Sequence, residues 1–499
     1  MKIAIIGTGA SGFGTALGLS APDPGTNLTF FDTDDKDQAP VFASSHPDTW
    51  SIENHREIIE RSRIANKRSF LPPKNHFGEK PSRYQVSAKR WLYKSENLGG
   101  LTRYWSANIF NFVEQDFSLW PISASELAPY YNKIAAETKI SGSDDRLSEY
   151  FGTGWVNSSR ITPLKAEEHL TTKINAKQYP NLLAGSNRLG IITDAEHANS
   201  CVYCGQCFSG CFRDSIFNSW HAIRRLFSPQ EPRIIYEQVI KIEIEIENGT
   251  KTIVTRTSRY SGYDKVFLSA GCIATTEIVL RSLGLYDVTV TMCDNPVYVF
   301  PIVHPIRSYN LQNERYLAIA SSVMALPPET PNEKYSHLLL GAFPDLMLRN
   351  VLPDRFWRIG DKISNMARRA VSIGKLYLHG DFGPHYRLTL SKSDKLELHC
   401  EENPLAQEEA KRNRQKIRQA LKSTGYHAVF SPWLELATSA HYAGTLAYGN
   451  NTVEVKPNGE VMDGVYICDS STFPESPAQP LTFTIMANAM RTAHEAIYG

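Results

Sequence analysis

Lys2 to Ile6 is a short, β-rich apolar run closed by glycine, the pattern of a strand buried in a parallel sheet. Gly7-Thr8-Gly9-Ala10-Ser11-Gly12 follows it, and then Ala16, Leu17 and Leu19 recur at roughly helical spacing. A second strand-like run, Leu28 to Phe31, ends on Asp32. Farther along, Ile234 to Ile244 reads as a strand-like run. Asp264 to Ala270 reads as a strand that hands over at Ala270-Gly271 to a helix starting near Thr275. Tyr386 to His399 alternates around Lys392-Ser393-Asp394-Lys395 and predicts a hairpin. Gln479-Pro480-Leu481-Thr482 opens a last helix that runs through Arg491, with Pro480 suited to a helix start.

Between Arg349 and Lys375 there are seven Lys/Arg against two Asp, and Ile363, Met366, Ala367, Ala370 and Val371 share one helical face. That pattern predicts an amphipathic helix, read as packed on the protein in preference to lying on a membrane surface. Residues 36–90 mix both signs of charge and read as a surface excursion or lid.

The chain has 499 residues, enough for about three domain-sized units or one interleaved two-domain enzyme. Hydrophobic residues make up 42% and the mean hydropathy is −0.32, which excludes a largely disordered chain. A net charge of +1 leaves no global field to hold nucleic acid, so that partner class is set aside. The opening lacks the apolar span of a signal peptide and no later run of about 20 apolar residues occurs, so a cytoplasmic location is the default expectation.

Strand, glycines, helix, second strand and acid, in that order, form a dinucleotide-binding fingerprint. Gly7 permits the tight turn, Gly9 lets the backbone approach a pyrophosphate and Gly12 allows close helix–strand packing. The helix N-terminus, at Ala10 and Ser11, offers unpaired N–H groups to phosphate. Asp32 is placed to accept from a ribose 2′-OH. The motif alone leaves NAD and FAD open.

Cys201, Cys204, Cys207 and Cys211 have the spacing C-x2-C-x2-C-x3-C of a ferredoxin-type run. Phe212 stands where ferredoxins carry proline, and the fourth cysteine there ligates another cluster, so a three-iron or four-iron cluster, metal-free thiols or disulfides, and structural zinc all stay open. Cys272, Cys293, Cys400 and Cys468 read as core residues.

Three further segments join the fingerprint: Leu98-Gly99-Gly100-Leu101-Thr102 leading to Tyr104-Trp105-Ser106-Ala107-Asn108, His441-Tyr442-Ala443-Gly444-Thr445, and Asp469-Ser470-Ser471-Thr472-Phe473-Pro474. With Trp120-Pro121-Ile122-Ser123, they resemble the glucose–methanol–choline (GMC) flavin oxidoreductases, nearest to bacterial members with a cysteine-rich segment. The resemblance implies an α/β fold: a Rossmann-like FAD domain from residues 1–35, 91–112, 195–290 and 435–499. A discontinuous α+β substrate domain on an antiparallel sheet would come from 113–194 and 291–434. It places Gly7, Gly9, Ala10, Ser11, Gly12 and Asp32 on the ADP half of FAD and Val239 at the adenine. Gly99, Gly100 and Asn108 would lie on the flavin, Asp469 at the ribityl or phosphate region and Pro480 at the start of the final helix.

His441 matches the family's catalytic histidine and is assigned the base role. Gln479 stands where the family usually has His or Asn, a departure, since glutamine is longer than Asn by one methylene. The implied activity is oxidation of the CH–OH group of a sugar or sugar-like alcohol by hydride transfer to flavin N5, as a dehydrogenase or oxidase. An iron–sulfur cluster would add an electron-acceptor protein as partner. Two other readings are a redox-neutral FAD enzyme, suggested by Gln479, and an FAD/iron–sulfur electron-transfer subunit. Trp105, Trp120, Trp357 and Trp433 are candidate walls for sugar rings or core residues.

Overall fold

Ile3, Ala4, Ile5 and Ile6 are buried because the strand Lys2–Ile6 has a parallel neighbour on each side, Asn27–Asp32 and Lys265–Leu268. Outward from these lie Ile234–Tyr236 on one flank and Val465–Ile467 on the other, all parallel, with Glu460–Met462 closing the edge antiparallel. The order places the first strand centrally, so its C-terminal end opens where the glycine turn begins. The computed structural model describes residues 1–19, 27–33, 75–76, 84–87, 92–103, 105–177, 179, 181–205, 207, 211, 213–304, 316–330, 333–342, 370–430 and 435–499. Tyr104, Phe212, Trp357, Trp433, nearly all of 36–90 and the stretch 349–369 lie outside the described residues.

The run Ile234 to Ile244 is two strands: Ile234–Tyr236 joins the parallel sheet and Val239–Ile244 opens a three-stranded antiparallel sheet with Lys251–Thr255 and Arg259–Tyr263. The hairpin forms as His385–Leu390 and Leu396–Glu401. It pairs with Thr289–Cys293 and Tyr84–Ser87, and its buried Tyr386, Leu388, Leu390, Leu396 and Leu398 join the large core around the parallel sheet.

The second large sheet has the order His427–Ala428, Pro296–Val303, Val371–Tyr377, Ser336–Ala342, Ser322–Leu326, Leu183–Ser186, every pair antiparallel, with Glu435–Thr438 added on Pro296–Val303. Strand alternation gives it two faces. Tyr298, Phe300, Ile302, Met324, Leu338, Leu340 and Leu376 pack beneath the helices Lys165–Ala176 and Leu405–Lys422. The opposite face carries Val297, Val299, Lys375 and Tyr377 into a cavity. The helical expectation for Val371 is therefore corrected. That residue begins a strand, because hydrogen bonding to Pro296–Val303 on one side and Ser336–Ala342 on the other overrides a local pattern that fits either period. No helix among the described residues is long and apolar enough to cross a membrane.

Candidate active site

A cavity of about 480 Å3 runs from the glycine turn to the face of the antiparallel sheet. Its first end is built by the turn after the first strand. Gly7 has φ +104°, and a Cβ there would stand 2.3 Å from the carbonyl oxygen of Ser269, just past the end of the neighbouring strand, so glycine is required. The helix Ala10–Gly18 starts at Gly9 with no side-chain cap, leaving its first N–H groups to the cavity. Gly7, Gly9, Ala10, Ser11, Asp32 and Val239 all line this end. Gly12 does not; it lies against the Gly7 carbonyl, where a Cβ would come within 2.2 Å.

Asp32 accepts from the Thr8 amide (2.9 Å) and hydroxyl (2.5 Å), and Thr8 Oγ1 in turn accepts from the Gly99 amide at 2.9 Å. Thr8 thereby ties the fingerprint to the second glycine loop. Gly100 lines the cavity at φ +56°, its Cβ direction 3.2 Å from Gly9 Cα, while Gly99 faces Asn218 instead. Asn108 lines the cavity with its Oδ1 accepting from Asn187 Nδ2 at 2.7 Å. Trp105 lines it too and donates to the Phe217 carbonyl; Trp120 packs in the core on Phe112 and Phe473.

Asp469 borders the cavity, and both its oxygens are engaged. One accepts from the amide and hydroxyl of Ser471, the other from the Gly271 amide and the Thr275 hydroxyl. It holds together two loop–helix junctions, and its burial raises the carboxyl pKa. Pro480 lines the cavity one residue before Leu481 caps the helix Thr482–Tyr498.

His441 lies at the other end. Its Nδ1 is 3.0 Å from Asn295 Oδ1. Asn295 Nδ2 faces three carbonyls, those of Leu378, Ser476 and Pro477, at 2.9–3.1 Å, so the amide orientation is fixed and Oδ1 is an acceptor. The ring must then carry its proton on Nδ1, which leaves Nε2 as a lone pair with no partner among the described residues. Burial holds the imidazole pKa down to about 4, so it is neutral at pH 7. Asp294 accepts from the His441 amide and the Ser439 hydroxyl, pinning the loop, and Tyr377 stacks on the imidazole at 5.5 Å and 22°.

Gln479 does not line the cavity. It is fully buried and its Nε2 donates to Asp116 Oδ2 at 2.6 Å. The second position expected at the chemistry is thus held away from it by a carboxylate 363 residues earlier in the chain. Asn295, Asp294, Lys375 and Tyr377 carry no local sequence signal, because their relation to His441 arises from strand pairing.

Cys201, Cys204, Cys207 and Cys211 form no disulfide, and their loop packs, through Cys201, Tyr203 and Cys207, on the apolar cluster of Ala107, Leu189, Leu317 and Ile319. Cys201 Sγ accepts from the Tyr203 amide and Cys211 Sγ from the Ser215 amide. Among the described residues, no three of these sulfurs lie within 4.8 Å of one another, so the tight tetrahedron of a single zinc is not preformed. Of the other cysteines, Cys272 and Cys468 are buried, while Cys293 and Cys400 are partly exposed.

Residues 385–489 match the family model described as GMC oxidoreductase. No curated protein matches the sequence. Among solved structures, the chain is similar to pyridoxine 4-oxidase from Mesorbium loti, with a TM-score of 0.62 and 15% identity over 100% of this chain and 99% of that one. It is also similar to formate oxidase from Aspergillus oryzae, in two variants concerned with FAD modification. Their TM-scores are 0.63 and 0.61, at 13% identity, over 99% of this chain and 97% of those. At these identities the likeness is one of fold.

Proposed function

We propose that this chain, an FAD-dependent oxidoreductase with a GMC oxidoreductase C-terminal domain, oxidises the CH–OH group of a sugar or sugar-like alcohol with His441 as the base. The observation that carries the reading is the fixed Nδ1–H tautomer of a neutral, buried imidazole whose Nε2 is left for the substrate hydroxyl. The residues present fit FAD: an uncapped helix N-terminus at Gly9 suits a pyrophosphate, and one continuous cavity leads from there to His441. Gly7, Gly9, Ala10 and Ser11 would hold the diphosphate, Asp32 and Val239 the adenosine, and Gly100 and Asn108 the flavin. When bound, FAD supplies the hydride acceptor. The chain's part is to orient the alcohol, take its hydroxyl proton on His441 Nε2 and exclude water from a site roofed by buried strands.

An iron–sulfur cluster on Cys201, Cys204, Cys207 and Cys211, passing electrons to an acceptor protein, completes the reading. It is supported by the ferredoxin-type spacing, the N–H···S bonds to Cys201 and Cys211, and the packing of the loop on the apolar cluster that holds Ala107, on which Trp105 also packs. A cytoplasmic location belongs to the same proposal.

The test is anaerobic purification followed by mixing with a panel of sugars and simple alcohols. Flavin bleaching is expected, slowed about 10²–10⁴-fold in His441→Gln with the flavin spectrum retained. Undiminished bleaching in that variant would remove the base assignment. Bleaching by no alcohol would favour the redox-neutral reading. A metal analysis without iron would remove the cluster and leave direct reoxidation by a small acceptor.

A further inference from the structure

With Gln479 held by Asp116, the cavity has one hydrogen-bonding group fewer beside His441 than the family resemblance implies, and the antiparallel sheet offers another. Val297, Tyr377 and His337 stand opposite one another on three neighbouring strands, so they share a face and the Tyr377 ring is flanked on both sides. His337 is fixed in turn, its Nδ1 2.6 Å from Tyr335 Oη and its ring edge-on to Phe110 at 4.9 Å. Tyr377 lies over the His441 imidazole at 5.5 Å and 22°, and part of its surface is cavity wall. Its hydroxyl bonds to no described residue and, unlike Nε2 of His337, is not sealed in by packing. The hydroxyls around it are engaged: Ser439 donates to Asp294, and Tyr442 Oη accepts from the Tyr93 amide at 2.7 Å. A small molecule whose hydroxyl meets His441 Nε2 therefore rests against a wall that carries a phenol O–H of its own.

We propose that Tyr377 is a second catalytic residue, its hydroxyl donating a hydrogen bond to the substrate oxygen as His441 takes the proton from that oxygen. The inference rests on reading the site as alcohol-oxidising. In that reaction the alcohol O–H proton passes to His441 Nε2, the carbinol hydrogen leaves with its electron pair to bound FAD, and a carbonyl forms. Negative charge grows on the oxygen before the carbonyl is complete, and a donor aimed there counts most at that moment. Burial, with the charge of Asp294 adding to it, pushes the Tyr377 phenol up to about 12, so it keeps its proton at neutral pH and acts as a donor. Gln479, bonded to Asp116 away from the cavity, supplies no such donor.

Tyr377→Phe keeps a ring on His441 and removes the hydroxyl alone. The FAD-loaded protein is mixed anaerobically with the panel of sugars and simple alcohols, and the rate of flavin reduction is followed against alcohol concentration. The variant is expected to retain the flavin spectrum and thermal midpoint and to be reduced about 10²–10³-fold more slowly at saturation, with half-saturation moved by less than about fivefold. A saturating rate within about tenfold of wild type, or a loss confined to half-saturation, would overturn the proposal. If no alcohol reduces the wild-type flavin, the alcohol-oxidation reading fails and Tyr377 is judged on binding. Pinacol, a diol with no carbinol hydrogen to lose, is then titrated against the oxidised flavin spectrum. An affinity weakened about three- to tenfold in Tyr377→Phe supports the hydroxyl contact, and an unmoved affinity or no spectral change overturns it.

Discussion

Asn295 fixes more than the direction of a ring. Because its amide nitrogen faces three backbone carbonyls, its oxygen can only accept, and a neutral amide gives no charge to stabilise imidazolium. Burial, with no neighbouring charge to offset it, resists protonation of His441 down to about pH 4, and the acid limb of kcat/KM should fall there. Asn295→Asp places a carboxylate at the same oxygen. The limb is then expected to move up by about 1–3 pH units, measured on the initial rate of flavin reduction. An unmoved limb would mean that another group controls it. Asp116 works in the opposite sense. Burial raises its pKa from 3.8 to about 6, so the native state holds the proton more tightly than the unfolded chain. Stability from this group is complete below about pH 4 and is lost as pH rises through about 6, a cost near neutrality of order 3 kcal/mol. Asp116→Asn should flatten the pH dependence of the thermal midpoint across that window. His441 and the glycine turn were readable in the sequence because each sits inside a contiguous motif. Asn295 was not, standing 146 residues from its histidine, and Gln479 reads as catalytic until Asp116 is seen holding it.

Glycines mean different things on one helix. Gly9 begins Ala10–Gly18 at φ −69°, and a Cβ there would meet no protein atom closer than 3.9 Å, whereas one at Gly14 would stand 2.2 Å from the Met486 carbonyl of the last helix. Gly9→Ala should therefore leave the thermal midpoint of the FAD-free protein nearly unchanged and weaken FAD binding, since the methyl projects into the cavity. Gly14→Ala must push two helices apart, a cost of about 1–3 kcal/mol that should lower the midpoint with or without FAD. Equal effects of the two substitutions would contradict this division. The elements themselves were mostly visible as period and punctuation, from the first strand to the Tyr386–His399 hairpin. What periodicity could not supply was partnership. Val371 has apolar neighbours at helical spacing, yet it begins a strand because it pairs with Val303 and the residues after it are paired on both sides. Ile234 to Ile244 breaks at Glu237-Gln238 because its two halves serve different sheets.

The cavity is bounded by both large sheets. Gly7, Ser11 and Ser269 come from the parallel sheet and its turns, while Val297, Lys375 and Tyr377 come from the antiparallel one. Each sheet has an apolar core of its own, and a third cluster packs Val323, Ala325 and Leu339 of the antiparallel sheet with Phe110 and Ala478, so the two are joined both by packing and by the walls of the cavity. A dinucleotide filling that cavity would touch both walls and couple their unfolding. Ligand at 100 times its dissociation constant stabilises by about 2.7 kcal/mol whatever it touches, but only a ligand bridging two units also changes cooperativity. Calorimetry is expected to show a broad or split transition for protein stripped of FAD, and on reconstitution one sharper transition at higher temperature. If FAD raised only the transition of the parallel-sheet unit and left the other in place, the cofactor would be bound by one wall alone. His441 would then stand too far from it to act on a substrate in contact with the cofactor.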